Sequence, residues 1–138
     1  MKKYNPKERR RARELAVQAL YQWQVAETPP VEIEVQFHQD NEMVKVDTAY
    51  FSCLLHGVTE HSLQIDEVIT PALDRPLAEL NPVELAVLRL AVYELLYQMH
   101  VPPRAVINEA LELTKRFGAT DGYKYVNAVL DRISKTLA

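Results

Sequence analysis

The sequence is poor in glycine and cysteine and has no long apolar run. Only 3 of its 138 residues are glycine, too few for a β-rich chain with many tight turns or for a glycine-rich phosphate loop. Its one cysteine, Cys53, excludes an internal disulfide framework and a cysteine-based zinc site. No apolar segment approaches the roughly 18 residues that would cross a bilayer. These absences predict a reduced, soluble protein of the cytoplasm.

The charges are distributed unevenly along the chain, although the net charge is only −3. Residues 1–13 hold seven basic side chains against one acidic, a net charge of +6. Residues 14–103 hold three basic and fourteen acidic side chains, a net charge of −11, and residues 104–138 hold six and four, a net charge of +2. A basic end on an acidic body predicts a polyanionic partner that only one face of the protein can touch.

Apolar residues recur at the three- and four-residue steps of helices, and no strand pattern or internal repeat stands out. The spacing predicts helices over about 7–24, 31–39 and 104–117, with further helices around 50–58, 63–73, 82–96 and 123–133. With 48% hydrophobic and 25% charged residues, the composition is that of a globular domain. We therefore expect an all-α fold of six or seven helices, forming a single domain over residues 1–138 whose basic arm, about residues 1–8, is flexible.

Capping residues mark where several of these helices begin and end. Asn81 suits the N-cap of the central helix, and Glu84 stands three residues later, where its side chain can reach back to the cap. Asp47 and Asp121 are placed to cap two other helices. Gly118 follows a helix and is expected to end it in the left-handed conformation.

An arginine cluster near the N-terminus is the first candidate site. Arg9 and Arg13 lie four residues apart, so their like charges repel along one helical face near the positive end of the helix dipole. The one evident i,i+4 ion pair joins Arg10 to Glu14. Because a guanidinium fork donates two parallel hydrogen bonds to phosphate, the cluster predicts nucleic-acid binding. A solvated, frayed terminus is the alternative.

Residues 115–125, KRFGATDGYKY, are the second candidate site. They place aromatic rings and basic groups around a tight turn between two helices. Single-stranded nucleic acid is bound by such a mixture of stacking rings and phosphate-seeking cations. The alternative for each ring is ordinary packing in the core.

Catalytic and metal-binding patterns are weak. His56 and Glu60 share a helical face, but no third ligand is evident, so a surface or capping role is favoured for them and for His61. Cys53 lies within an apolar stripe and is expected to be an inert core thiol. We therefore expect no enzymatic activity, no metal and no cofactor.

Three segments, in this order and spacing, resemble the NusB family of bacterial transcription antitermination factors. They read ERRRARELAVQALYQWQ over residues 8–24, NPVELAVLRLAVYEL over 81–95, and AVINEALELTKRFGATDGYKYVNAVLD over 105–131. Together they span most of the chain, and residues 25–46 give the weakest match.

The resemblance implies two packed three-helix bundles and a heterodimer with NusE, the ribosomal small-subunit protein. That pair is expected to bind single-stranded boxA RNA in nascent ribosomal RNA leaders and, with other Nus factors, to help RNA polymerase resist Rho-dependent termination. By motif position, RNA binding is assigned to Arg9, Arg10, Arg13, Phe117, Asp121, Lys124 and Tyr125, and NusE binding is assigned to Tyr21 and Glu84. A homodimer that covers the arginine face is left open.

The sequence is also compatible with two other functions. One is the NusB-like RNA-binding module of a ribosomal RNA methyltransferase, although the end of this sequence at Ala138 leaves no room for a cofactor-binding domain. The other is a purely protein-binding helical adaptor. Binding of a boxA oligonucleotide, with and without NusE, would distinguish them.

Overall fold

Helices make up the regular structure of residues 4–137, the part of the chain that the computed structural model describes. They are α1 (Pro6–Ala26), α2 (Pro30–Asp40), α3 (Thr48–Glu60), α4 (Ser62–Ile69), α5 (Pro82–Tyr97), α6 (Pro103–Phe117) and α7 (Gly122–Leu137), with short 3-10 turns at Thr70–Ala72 and Leu77–Glu79. The prediction of an all-α fold with six or seven helices is confirmed within these residues.

Local capping explains where several helices begin. The side-chain oxygen of Asn5 accepts the amides of Lys7 and Glu8 at 3.0 and 3.1 Å, which starts α1 at Pro6. Residues 6–8 of the expected flexible arm are therefore the first turn of a helix, whereas residues 1–3 lie outside the described residues. The predicted cap at Asp47 is confirmed, since its carboxylate accepts the amide of Tyr50 at 3.0 Å.

The expected left-handed cap at Gly118 is wrong. Gly118 does end α6, and its amide donates to the carbonyl of Thr114 at 2.8 Å, but its backbone is extended, with φ −90° and ψ −179°. The left-handed residue of this turn is Asp121, with φ 67°. An aspartate tolerates that conformation better than most side chains, so the chain reverses at Asp121 immediately before α7.

The helices form two groups of three, as the family resemblance implied. Helices α1, α2 and α3 pack on one another, α5, α6 and α7 form the second group, and the contact between α1 and α5 joins the two. Helix α4 packs mainly against α5. Helix α5 is central, because every residue from 84 to 94 is buried. None of the helices within residues 4–137 combines the length and apolar character that crossing a membrane requires.

Candidate nucleic-acid interface

Arg9 is held on all sides by neighbours from other elements. Its Nε and Nη2 each lie 3.4 Å from Oδ2 of Asp47, and its Nη1 lies 3.2 Å from Nε2 of His100. The guanidinium also lies over the rings of Tyr50 and Tyr4, at 4.0 and 4.7 Å from their centroids. Only 16% of the Arg9 side chain is exposed. Asp47, Tyr50 and His100 are distant from Arg9 in sequence, so no local spacing could have indicated these three partners.

Arg13 is buried in an ion pair that crosses from α1 to α5. Its Nη2 lies 2.8 Å from Oε2 of Glu94, and its Nε donates to Oε1 of the same carboxylate at 3.0 Å. The hydroxyl of Tyr50 donates to that carboxylate too. Burial, followed by the charge of Glu94, raises the pKa of Tyr50 well above its usual range. Only 4% of Arg13 is exposed, so in this geometry its guanidinium faces the interior.

Arg10 is the exposed member of the three arginines. Its side chain is 62% exposed, and its Nε and Nη2 both lie 3.2 Å from Oε1 of Glu109 on α6. The expected pairing of Arg10 with Glu14 is therefore wrong. Glu14 instead pairs with Arg11 at 3.1 Å and with Arg116 on α6 at 3.5 Å. Because α6 runs alongside α1, Glu109 of α6 pairs with Arg10 and Arg116 of α6 pairs with Glu14.

The turn between α6 and α7 presents an exposed acid and an exposed base. Oδ1 of Asp121 lies 3.5 Å from Nζ of Lys124, and both side chains are about two-thirds exposed. Asp121 precedes α7, but the expected side-chain cap is not formed, because its carboxylate contacts Lys124 and only its carbonyl accepts the Lys124 amide, at 3.0 Å. The carboxylate therefore faces solvent, where a ligand can reach it.

Tyr125 lies one turn into α7 and contacts the loop that follows α4. Its hydroxyl donates to Oδ1 of Asp74 at 3.1 Å, and the guanidinium of Arg75 lies over its ring, 4.7 Å from the centroid. Burial, followed by the hydrogen bond to Asp74, raises the pKa of Tyr125. Sequence reasoning missed Asp74 and Arg75, because an exposed Asp-Arg pair about fifty residues upstream carries no signal of its own.

Tyr21 and Phe117 lie together, although sequence reasoning assigned them to different ligands. They line a surface cavity of about 310 Å³ with Val17, Gln18 and Val83. Tyr21 is exposed, whereas Phe117 is half-buried against the core. The end of α6 is thereby brought to the middle of α1. The structure thus places an expected partner residue and an expected RNA residue at one cavity.

Glu84 begins the central helix but does not complete the expected capping box. Asn81 caps α5 as predicted, since its side-chain oxygen accepts the amides of Val83 at 2.9 Å and Glu84 at 3.3 Å. The Glu84 carboxylate turns instead toward Gly122, where an added Cβ would lie 2.9 Å from its Oε2. Burial raises the pKa of Glu84, and the nearby charge of Arg75 partly opposes that shift. The carboxylate has room in this position because Gly122 has no Cβ.

The residues considered for metal binding or catalysis have ordinary structural partners. Nε2 of His56 lies 2.9 Å from Oε1 of Glu34, and the ring of His61 lies against that of Tyr97. Cys53 is half-buried, with Sγ 3.4 Å from the hydroxyl of Tyr93. Over residues 4–137, no three His, Cys, Asp or Glu side chains are grouped as metal ligands.

The fold and the site together define a class: an all-helical domain with an exposed arginine on α1 and an aromatic, basic turn after α6, a combination that suits nucleic-acid binding. A sequence model described as the NusB family matches residues 10–135. The chain belongs to the NusB family, which confirms the predicted resemblance.

Individual relatives agree over nearly the whole chain. The chain is 55% identical to the transcription antitermination protein NusB of Pseudomonas fluorescens (strain Pf0-1) over 129 residues, covering 94% of this chain and 78% of that protein. It is 50% identical to the protein of the same name from Pasteurella multocida (strain Pm70) over 137 residues, covering 99% and 94%.

Solved structures have the same arrangement of helices. The structure of T. maritima NusB matches with a TM-score of 0.82 and 31% sequence identity, covering 96% of this chain and 93% of that one. A crystal structure of the antitermination factors NusB and NusE in complex with dsRNA matches with a TM-score of 0.83 and 28% identity, covering 96% and 99%.

Proposed function

We propose that this chain is an RNA-binding transcription antitermination factor that acts with NusE. In this role the pair binds boxA RNA in nascent ribosomal RNA leaders and, with other Nus factors, helps RNA polymerase to resist Rho-dependent termination. Membership in the NusB family supports the proposal, as do relatives named transcription antitermination proteins. The similar structure of NusB and NusE with dsRNA supports the two partners.

The observation that carries the proposal is the seam where α1 and α6 run side by side, here called the α1–α6 seam. Arg10 faces Glu109 at its basic end, Arg116 reaches Glu14 farther along, and Phe117 lies at the far end. Arg10, an expected phosphate-binding residue, and Phe117, an expected base-binding residue, therefore lie along the same seam. This arrangement supports a single strand that contacts both residues.

On the RNA side, each predicted residue takes a role that suits its surroundings. Arg10 is exposed and contacts phosphate, whereas Arg9 and Arg13 tie α1 to Asp47 and to Glu94 on α5. Phe117 supplies ring surface, and stacked rings bind single-stranded bases. Tyr125 lies beneath the exposed guanidinium of Arg75 and supports the RNA-binding surface from there. The remaining two residues, Asp121 and Lys124, are exposed at the turn and supply an acceptor and a cation.

On the protein side, Tyr21 and Glu84 bind NusE. Tyr21 is exposed beside the apolar residues Val17 and Val83, the kind of anchor that protein interfaces use. Glu84 contributes a carboxylate that makes no hydrogen bond to the described residues and is free for a donor on the partner. Both residues lie close to Phe117 or Gly122, so RNA and NusE bind next to each other.

The chain acts as one domain, in the bacterial cytoplasm where transcription occurs, and without catalysis. The family match is continuous from residue 10 to 135, which supports one domain. Within residues 4–137, the carboxylates and tyrosines with shifted pKa values are in ion pairs, ring contacts and packing contacts, and are not gathered around one pocket. These groups support a binding protein over an enzyme.

A binding experiment tests the proposal. The purified chain is titrated, alone and with NusE, against a fluorescently labelled single-stranded boxA RNA and against a shuffled RNA of the same composition. We expect the chain with NusE to bind boxA RNA more tightly than the shuffled RNA. Equal binding of both RNAs, or no binding of either, would overturn the proposal and favour a purely protein-binding adaptor.

A further inference from the structure

Arg75 forms a three-residue arrangement with Asp74 and Tyr125 at the edge of the α6–α7 turn. The Asp74 carboxylate accepts Nε and Nη2 of Arg75 at 2.9 and 3.3 Å and also accepts the Tyr125 hydroxyl at 3.1 Å. One carboxylate therefore orients both the guanidinium and the ring beneath it. The two hydrogen bonds to Asp74 thus hold the Arg75 guanidinium over the Tyr125 ring.

The guanidinium of Arg75 lies over the ring of Tyr125. Tyr125 is itself half-buried and packs against the core. The guanidinium carbon of Arg75 lies 4.7 Å from the ring centroid, and 47% of the Arg75 side chain is exposed. A base approaching Tyr125 from solvent therefore meets Arg75 first. Within residues 4–137, no acceptor is hydrogen-bonded to Nη1 of Arg75.

We propose that Arg75 is a further RNA-binding residue, and that an unpaired base stacks on its guanidinium plane with Tyr125 as the supporting layer. A guanidinium is planar and weakly hydrated, so it stacks on bases as well as on aromatic rings. The free Nη1 is placed to donate to a base edge or a phosphate oxygen. The inference rests on the proposed RNA-binding function and adds a residue that neither the sequence motifs nor the turn itself contains.

The position of Arg75 separates it from the other cation–ring pairs at this end of the molecule. Arg116 lies over Phe117 at 5.4 Å, but it also reaches toward Glu14 on α1, 3.5 Å away. Lys115 lies over Tyr123 at 4.9 Å, but an ammonium group has no plane on which a base can stack. Arg75 alone in this comparison combines a plane, an exposed side chain and a fixed orientation.

The test compares two substitutions that remove different properties of Arg75. Arg75→Ala removes the charge and the plane, whereas Arg75→Lys keeps the charge and removes the plane. Lys135→Ala is the matched control, because Lys135 is an exposed cation near the end of α7 that pairs only with Asp131, at 3.1 Å, among the described residues. Each variant is titrated, as its complex with NusE, against boxA RNA containing 2-aminopurine, whose fluorescence falls when it stacks.

We expect Arg75→Ala and Arg75→Lys each to weaken boxA binding by about 5- to 150-fold, the range for loss of one stacked base. At one 2-aminopurine position, the quenching seen with the unmodified chain should be lost in both variants. Lys135→Ala should keep both the affinity and the quenching. Circular dichroism and thermal melting establish that the variants are folded.

Three results would overturn the inference. If Arg75→Lys bound boxA RNA with the affinity and quenching of the unmodified chain, Arg75 would act only as a charge. Unchanged or tighter binding by folded Arg75→Ala would mean that the base stacks directly on Tyr125. No boxA binding by the unmodified complex would instead contradict the proposed function, and the role of Arg75 would fall with it.

Discussion

Individual side chains of this interface are placed by burial as much as by charge, and Glu84 is the clearest case. Glu84 is only 8% exposed at the start of α5, its carboxylate accepts no hydrogen bond from the described residues, and its Oε2 lies 2.9 Å from where a Cβ at Gly122 would be. Taking a carboxylate out of water without a hydrogen-bond partner is unfavourable. The charged form of Glu84 therefore does not stabilise the fold, which agrees with the proposed role in binding NusE.

Glu84→Gln should therefore weaken NusE binding without destabilising the fold. The folded-state pKa of Glu84 is raised above its ordinary value of 4.5 by burial. Folding therefore favours the protonated form of Glu84. The stability that the protonated form contributes is lost as the pH rises through the raised pKa. Glutamine stays neutral, so the variant should melt at the same temperature as the unmodified chain below pH 4.5 and at a higher temperature at pH 7.

Thermal melting at both pH values and a NusE titration check this prediction. The matched control is Glu67→Gln, which removes an exposed acid on α4 and should leave NusE binding unchanged. A lower melting temperature for Glu84→Gln at pH 7 would contradict the burial argument.

At this scale, the sequence predicts contacts that are local and misses those that are not. The caps at Asn81 and Asp47 could be predicted because their hydrogen bonds join residues two or three positions apart. Glu94 pairs with Arg13 across 81 positions, and no spacing rule reaches that far. The same holds for the contact of Arg75 with Tyr125. The list of candidate site residues therefore stays a prediction, and the ion pairs around those residues could not be derived from sequence spacing.

Between helices, the α1–α6 seam controls how available the arginines are. Glu109 on α6 accepts two hydrogen bonds from Arg10 at 3.2 Å and lies 3.9 Å from Arg13. RNA phosphate must compete with this carboxylate for Arg10. The helix periodicity predicted both helices correctly but could not give their mutual rotation, because that depends on which apolar faces pack.

Glu109→Gln should raise the affinity for RNA. Glutamine removes the charge that competes with phosphate and frees Arg10, so binding should tighten by a few-fold at low salt, as expected for loss of one exposed ion pair of about 0.2–1 kcal/mol. Asp131→Asn removes one negative charge from α7, away from the seam, and should tighten binding less. Fluorescence anisotropy at one fixed salt concentration measures both. Equal effects of the two variants would mean that only net charge matters.

Over the whole molecule, positive charge is concentrated at the N-terminal end and negative charge in the rest of the chain, although the net charge is only −3. RNA is attracted at one end of α1 and repelled by most of the surface. Such an arrangement orients a polyanion before specific contacts form. The sequence alone was enough to predict this property, because it depends on where charges stand along the chain and not on their neighbours.

RNA binding should weaken with salt according to the number of phosphates contacted. The slope of log K against log salt is expected to be about −0.7 per phosphate on a single strand. Arg10→Ala should make that slope shallower by about 0.7 and leave the fold intact. Arg13→Ala should instead destabilise the fold by about 3–5 kcal/mol, because it leaves the buried carboxylate of Glu94 without its partner. Salt titrations and urea unfolding separate the two effects, and an unaltered slope in Arg10→Ala would exclude Arg10 from the phosphate contacts.

The close approach of Glu84 to Gly122 has a thermodynamic consequence for the proposed roles. Gly122 begins the helix that carries Tyr125 three positions later, so a partner that moves the Glu84 carboxylate also acts on the first turn of that helix. The two binding equilibria are then linked, and linkage is reciprocal. By whatever factor NusE changes the affinity for RNA, RNA must change the affinity for NusE by the same factor. The close approach that the missing Cβ of Gly122 allows is thus the contact through which such a linkage would act.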